Sequence, residues 1–202
     1  MASKPLQSII FRPRISQQWL TQHSYFNLQP QTLNDVLSHQ LKINSEKYLP
    51  IDQQGFPKSQ AVSVDNSPFD FTEFRTINSV ISQSHRQFTF AKGIDPCWIR
   101  SSNLPFAKLE EFAQLKDKTS GRKLTVSSTS KGLQIYTENY LNDSVIGRDK
   151  QKYKIHQGIC LETGEFPNSP ADQSFPNTVI STDRPFKSTT IFQFSTEKYG
   201  EK

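Results

Sequence analysis

One stretch late in the chain brings together side chains that can transfer protons. The sequence HQGICLETGEFPNSP (156–170) holds one histidine, one cysteine and two glutamates within fifteen residues. Glu162 lies between Leu161 and Thr163, in a segment typical of a strand that runs inward. A carboxylate among apolar neighbours resists ionisation, and general bases are made in this way. We therefore treat Glu162 as a candidate base, with an edge-strand acid as the alternative.

Three further motifs carry polar side chains suited to holding a sugar. His23 opens HSYFNL, ahead of two aromatic residues and an asparagine. Asp95 lies in the turn GIDPCW with Trp98 close behind, and carboxylates accept hydrogen bonds from hydroxyls while aromatic faces cover C–H groups. Gln134 and Tyr136 share one strand face in GLQIYT. The alternatives are a packed strand end for His23, local capping of a turn for Asp95 and a solvent-facing strand for Gln134.

Charge and composition disfavour several other classes of function. The net charge is +5 and the pI about 9.2, but the basic residues are scattered, and the densest stretch (148–154) is interrupted by an acid. A nucleic-acid surface normally shows a concentrated basic stripe, so we expect no nucleic-acid partner. Cys97 and Cys160 lie far apart without a CxxC motif, which predicts buried thiols and no metal site.

The N-terminal sequence contains no apolar run long enough for a secretory signal or a membrane span. We therefore predict a cytoplasmic protein with no membrane partner.

Alternating patterns dominate the chain. Apolar, β-branched and aromatic residues recur at every second position, and prolines and glycines fall between these segments, which predicts an all-β sandwich or barrel. Thr119-Ser120-Gly121 predicts a hairpin turn between strands at 112–115 and 123–127. The alternating segments are 41–45, 62–64, 88–90, 124–126, 133–137 and 190–194.

The motifs together, in their order along the chain, resemble the galactose mutarotase (aldose 1-epimerase) family. HSYFNL, GID, GLQIYTENYL, HQGICLETGEFPNSP and TTIFQFS carry the resemblance, which extends from about residue 19 to residue 196. It implies a mutarotase-like β-sandwich, the family's supersandwich, with a domain over 19–202 preceded by an unmatched segment over 1–18. It also implies a hexose such as galactose or glucose as the small-molecule partner, and no cofactor.

The resemblance assigns a role to each candidate residue. Glu162 is the base on the anomeric hydroxyl, His23 the acid on the ring oxygen, and Asp95 and Gln134 hold sugar hydroxyls. Ring opening of a hemiacetal needs one proton removed and another delivered, and positioned groups each contribute about 10²–10⁴-fold.

The sequence departs from the family pattern in two places. Residues 1–18 do not resemble the long N-terminal part that supplies an Asn-Arg pair and a second histidine, which leads us to expect an N-terminally truncated sandwich. Pro96 stands where the family usually has histidine. An alternative function is therefore a non-catalytic carbohydrate-binding domain, or one that a second chain completes.

Overall fold

The computed structural model describes residues 7–11, 15–17, 20–29, 34–100, 108–147 and 150–197. Nearly all regular structure in these residues is β-strand, with two short helices, α1 (Ile77–Ile81) and α2 (Arg86–Ala91). Among the described residues, no helix has the length and apolar character needed to cross a membrane. The strands are β1 (Gln7–Phe11), β2 (Ile15–Gln17), β3 (Tyr25–Phe26), β4 (Gln40–Ile43), β5 (Lys47–Leu49), β6 (Val62–Ser63), β7 (Arg75–Thr76), β8 (Cys97–Ile99), β9 (Glu110–Lys116), β10 (Arg122–Ser128), β11 (Gly132–Tyr136), β12 (Asn142–Ile146), β13 (Lys152–Lys154), β14 (Ile159–Gly164), β15 (Val179–Ser181) and β16 (Phe186–Thr196).

Two antiparallel sheets of six strands form the sandwich. The first has the order β1-β16-β10-β9-β4-β7 and the second the order β3-β14-β11-β8-β5-β6. Two small pairs, β12–β13 and β15–β2, complete the described strands. The strands β1 and β2 come from the segment 1–18 and pair with β16 and β15. The all-β sandwich predicted from the alternating patterns is confirmed.

The main core lies between the two sheets, because strands of both sheets send every second side chain inward. Leu124 and Val126 of β10 face Leu133 and Ile135 of β11 across this layer, and all four are fully buried. Trp98 of β8 is also fully buried here, and its Nε1 donates a hydrogen bond to the carbonyl of Phe69 at 3.2 Å. Trp98 therefore packs inside the sandwich, and the suggestion that its ring covers a sugar near Asp95 is wrong.

The predicted hairpin between β9 and β10 is confirmed. Leu124 pairs with Leu115 and Lys123 with Lys116, so the register places the apolar side chains of both strands on one face. Asp117 closes the turn, because its side chain accepts from the amide of Ser120 at 2.8 Å. Gly121 has a φ of +68°, the left-handed region in which only glycine is unstrained.

One predicted strand is wrong. Phe88, Thr89 and Phe90 alternate as in a strand but lie in α2. His85 caps this helix, since its Nδ1 accepts from the amide of Gln87 at 3.3 Å, and the buried residues Gln87, Phe88 and Ala91 follow helical spacing. Three alternating residues are too few to separate a strand from one face of a short helix.

The burial pattern predicts that two isoleucines contribute very differently to the free energy of unfolding. Ile135 is fully buried between the sheets, whereas Ile146 on β12 is 65% exposed. Ile135→Ala should lower the free energy of unfolding by about 2–5 kcal/mol because it leaves a cavity in a packed core. Ile146→Ala should change it by less than about 0.5 kcal/mol. Urea denaturation of both variants checks this, and equal effects would contradict the placement of the core.

Candidate active site

Two neighbouring strands of the second sheet present the polar residues of the site. In the register of β11 and β14, Gln134 pairs with Glu162 and Tyr136 pairs with Cys160. Alternation turns these four side chains to the same face of the sheet, opposite to the face that packs in the main core. The sheet register therefore brings Gln134 and Glu162, which lie far apart in sequence, into direct proximity.

The segment that precedes β3 places His23 over β14. Thr21 Oγ1 donates to the carbonyl of Thr163 at 2.9 Å, and Gln22 Nε2 donates to the carbonyl of Leu161 at 2.7 Å. Two residues after His23, Tyr25 of β3 pairs with Cys160 of β14. Anchored on both sides, the chain holds the imidazole of His23 above the side chains of β14.

His23 contacts two residues of β14 through its two ring nitrogens. Its Nε2 lies 3.2 Å from Glu162 Oε1, and its Nδ1 lies 3.3 Å from Cys160 Sγ. The side chain of His23 is 49% exposed, whereas that of Glu162 is only 4% exposed. The histidine thus covers a carboxylate that has almost no contact with water, and a ligand would reach Glu162 past His23.

The loop before β8 positions Asp95. The amide of Ile94 donates to Thr137 Oγ1 at 3.0 Å, and Asn139 Nδ2 donates to the carbonyl of Ile94 at 3.0 Å. Gly93 is required at this close approach, because a Cβ there would overlap the side chains of Thr137 and Asn139. The end of β11 therefore fixes the turn that carries the aspartate.

Asp95 joins the same site through Gln134. Gln134 Nε2 donates to Asp95 Oδ1 at 2.8 Å, which leaves the amide oxygen of Gln134 and the second carboxylate oxygen of Asp95 for other partners. Pro96 removes an amide donor from the turn, but its carbonyl accepts from the amide of Ile135 at 3.3 Å and so remains in the sheet. All four residues singled out in the sequence lie in one site.

The pKa values of Glu162 and Asp95 are both raised above their ordinary range. Burial and, as the smaller cause, the negative charge of Asp95 together raise the pKa of Glu162 to about 7. Burial also raises the pKa of Asp95 to about 6, opposed by the hydrogen bond from Gln134 and the nearby His23. A carboxylate with a pKa near neutrality can both accept and return a proton under ordinary conditions.

The family resemblance assigned no role to three side chains of the site. Tyr25 and Tyr136 pack around His23, with ring centroids 5.0 and 5.6 Å from the imidazole. Cys160 was interpreted as an ordinary buried thiol, but it contacts His23. Its position two residues before Glu162 in a strand was the available signal, because residues i and i+2 share a face. Burial holds the pKa of its thiol well above the usual range.

His23, Cys160 and Glu162 are also residue types that bind metals, and one ligand atom from each lies within 4.8 Å of the others. In this structure the thiol and the carboxylate contact opposite nitrogens of the imidazole. A single ion takes only one nitrogen from a histidine. The contacts therefore arrange the three groups as a row, with the imidazole in the middle.

Comparison with known proteins places this chain in a family. A family model described as Aldose 1-epimerase matches residues 19–193. Galactose mutarotase of Mus musculus is 32% identical over 177 residues, which cover 87% of this chain and 49% of the mouse protein. Aldose 1-epimerase of Haemophilus influenzae is 34% identical over 159 residues, covering 78% of this chain and 45% of that protein. The chain spans about half the length of the curated relatives it matches.

Solved structures agree on the fold. The GalM/aldose epimerase homologue of C. elegans aligns with a TM-score of 0.76 at 18% identity, over 91% of this chain and 53% of that one. Galactose 1-epimerase of Lactobacillus acidophilus also aligns with a TM-score of 0.76, at 21% identity, over 96% of this chain and 53% of that one. The mutarotase-like sandwich is thereby confirmed, and the chain belongs to the aldose 1-epimerase family.

Proposed function

We propose that this chain interconverts the α and β anomers of a hexose such as galactose or glucose by acid/base ring opening. Glu162 removes the proton of the anomeric hydroxyl, and His23 delivers a proton to the ring oxygen. The open aldehyde then rotates about the bond between C1 and C2 and closes on either face. Asp95 and Gln134 hold hydroxyls of the sugar. We further propose that residues 19–202 form the sugar-binding domain.

The 3.2 Å separation of His23 Nε2 and Glu162 Oε1 is the observation that carries this proposal. The anomeric oxygen and the ring oxygen of a pyranose are bonded to the same carbon, so an acid and a base that serve them must be near neighbours. An incoming sugar replaces the direct contact, with its hydroxyl donating to Glu162 and its ring oxygen accepting from His23. The exposed side chain of His23 has room to turn for this exchange.

The electrostatics support Glu162 as the base. Its pKa of about 7 lets it hold a proton in the open-chain intermediate and return that proton on closure. The rate should therefore rise as pH increases through about 7, where Glu162 becomes ionised.

Optical rotation tests the proposal directly. The wild-type chain should accelerate the mutarotation of freshly dissolved α-D-galactose over buffer. Glu162→Gln should lower kcat/KM by about 10²–10⁴-fold, because the amide cannot accept the proton. Glu73→Gln is the matched control, since Glu73 is 86% exposed and pairs with Lys42 on the surface, and it should retain the wild-type rate.

Two results would count against catalysis by these residues. Equal rates for the wild type and Glu162→Gln would show that Glu162 does not act as the base. Saturable binding of galactose without acceleration would support the alternative of a carbohydrate-binding domain. The absence of cofactors, the cytoplasmic location and a second chain that completes the sandwich stay predictions.

The pKa of Glu162 can be tested apart from activity. Asp95→Asn removes a negative charge that disfavours ionisation of Glu162, so the titration midpoint of Glu162 should move to lower pH. It should stay above 4.5, the ordinary value, because burial is the larger cause and remains. Carbon-13 NMR of the glutamate carboxyls measures the midpoint, with Asp65→Asn as an exposed control that should not shift it. An unchanged midpoint in Asp95→Asn would show that the two carboxylates do not interact.

A further inference from the structure

A large cavity lies beside the candidate active site. Its volume is about 690 Å³, within the range of cavities that hold small molecules. The edge strand β3 forms one wall and the β12–β13 hairpin another. Most of its lining surface is apolar, with contributions from Tyr25, Phe26 and Tyr153, and polar side chains are present at Glu138, Gln151 and Gln157.

Tyr25 connects the cavity to the site. Its ring lies 5.0 Å from the imidazole of His23 and 6.4 Å from the ring of Tyr136, and it also lines the cavity. Along β14, Glu162 and Cys160 lead from the site toward Gly158, which lies just before the strand and lines the cavity. His23 therefore stands between the candidate base and the cavity.

Glu138 supplies a carboxylate to the cavity at a position that glutamate rarely occupies. Its φ is +51°, in the left-handed region that favours glycine. Glu138 is nonetheless buried, with 3% exposure, and burial raises the pKa of its carboxyl. Its carboxyl accepts a hydrogen bond from the amide of Leu141 and lies near His23 and His156, whereas no lysine or arginine of the described residues forms an ion pair with it.

The backbone around Glu138 is held firmly. The amide of His156 donates to the carbonyl of Glu138 at 2.8 Å, and His156 Nδ1 lies 2.7 Å from the carbonyl of Thr137. Thr137 Oγ1 donates to Asn139 Oδ1 at 2.7 Å. Glu138 therefore presents a firmly positioned carboxyl group to the cavity, close to His23.

We propose that this cavity is a second carbohydrate subsite, which holds a glycosyl group attached to C6 of the hexose in the active site. The assignment rests on the proposed function, in which His23 serves the ring oxygen. C5, the ring carbon next to that oxygen, carries C6, so a substituent on C6 leaves the site on the side of His23 and Tyr25. Glu162 occupies the other side, at the anomeric hydroxyl.

The lining matches a neutral sugar ring. Tyr25 and Tyr153 offer aromatic faces for C–H groups, and Glu138 accepts hydrogen bonds from hydroxyls. A phosphate on C6 is disfavoured, because the carboxylate of Glu138 would repel it. The preferred substrate is therefore a 6-linked reducing disaccharide.

Substrate preference tests the subsite. The ratio of kcat/KM for melibiose, which is 6-linked, to that for glucose should be about tenfold higher than the same ratio for maltose, which is 4-linked. Glu138→Gln and Tyr153→Ala should each lower the melibiose ratio several-fold. Tyr140→Ala is the matched control, because Tyr140 is exposed and outside the cavity, and it should leave the ratio unchanged. If Glu138→Gln does not fold, Tyr153→Ala on the exposed hairpin tests the subsite by itself.

The outcomes separate this proposal from the proposed function. If glucose is turned over without a preference for melibiose, the subsite is contradicted and the proposed function is not. The same holds if a preference for melibiose remains in both variants. If neither sugar is turned over, the proposed function fails, and calorimetric titration then decides the subsite. Tighter binding of melibiose than of glucose, weakened by Tyr153→Ala, supports it, and equal binding overturns it.

Discussion

The burial of one carboxylate, Glu162, is the constraint on which the rest of the site depends. In water a glutamate with a pKa near 4.5 is a weak base, because it seldom holds a proton at neutral pH. The sheet removes Glu162 from water and places Asp95 nearby, and together these raise its pKa to about 7. His23, held above β14 by Thr21 and Gln22, supplies the polar partner that a buried carboxylate needs. The register of β11 and β14, the loop of Asp95 and the segment before β3 all serve this arrangement.

The raised pKa of Glu162 lowers the stability of the folded chain at neutral pH. A folded-state pKa above the unfolded one means that the folded chain binds more protons between pH 4.5 and about 7, so the contribution of Glu162 to stability falls as pH rises through that window. At about 1.4 kcal/mol for each pH unit, the full effect is about 3 kcal/mol. The sandwich offsets it with a continuous apolar core, in which Trp98 and Leu133 have no exposed surface. Packing on the opposite face of the same sheet thus keeps Glu162 buried and its pKa raised.

The sequence predicts the sandwich better than it predicts the contacts between the candidate site residues. Alternation identified β10, β11 and β16 because long strands with one buried face repeat their pattern several times. It failed at Phe88, where a histidine cap and a single helical turn produce the same local pattern. The proximity of Gln134 and Glu162 depends on strand register, a long-range property that neither segment carries alone. The contact between Cys160 and His23 was missed for the same reason, since it requires β3 to lie beside β14.

The direct contact between His23 and Glu162 explains how such a site can remain stable and still react. Without a ligand, the imidazole satisfies the buried carboxylate, and the rings of Tyr25 and Tyr136 support the imidazole from the side. A sugar that enters must offer both a hydroxyl donor and a ring-oxygen acceptor to replace that contact without leaving a buried group unpaired. A pyranose carries these two groups on the same carbon, whereas a simple alcohol offers only one centre. Under the proposed function, selection for a cyclic hemiacetal therefore follows from the polar contact that the ligand must replace, before any chemistry takes place.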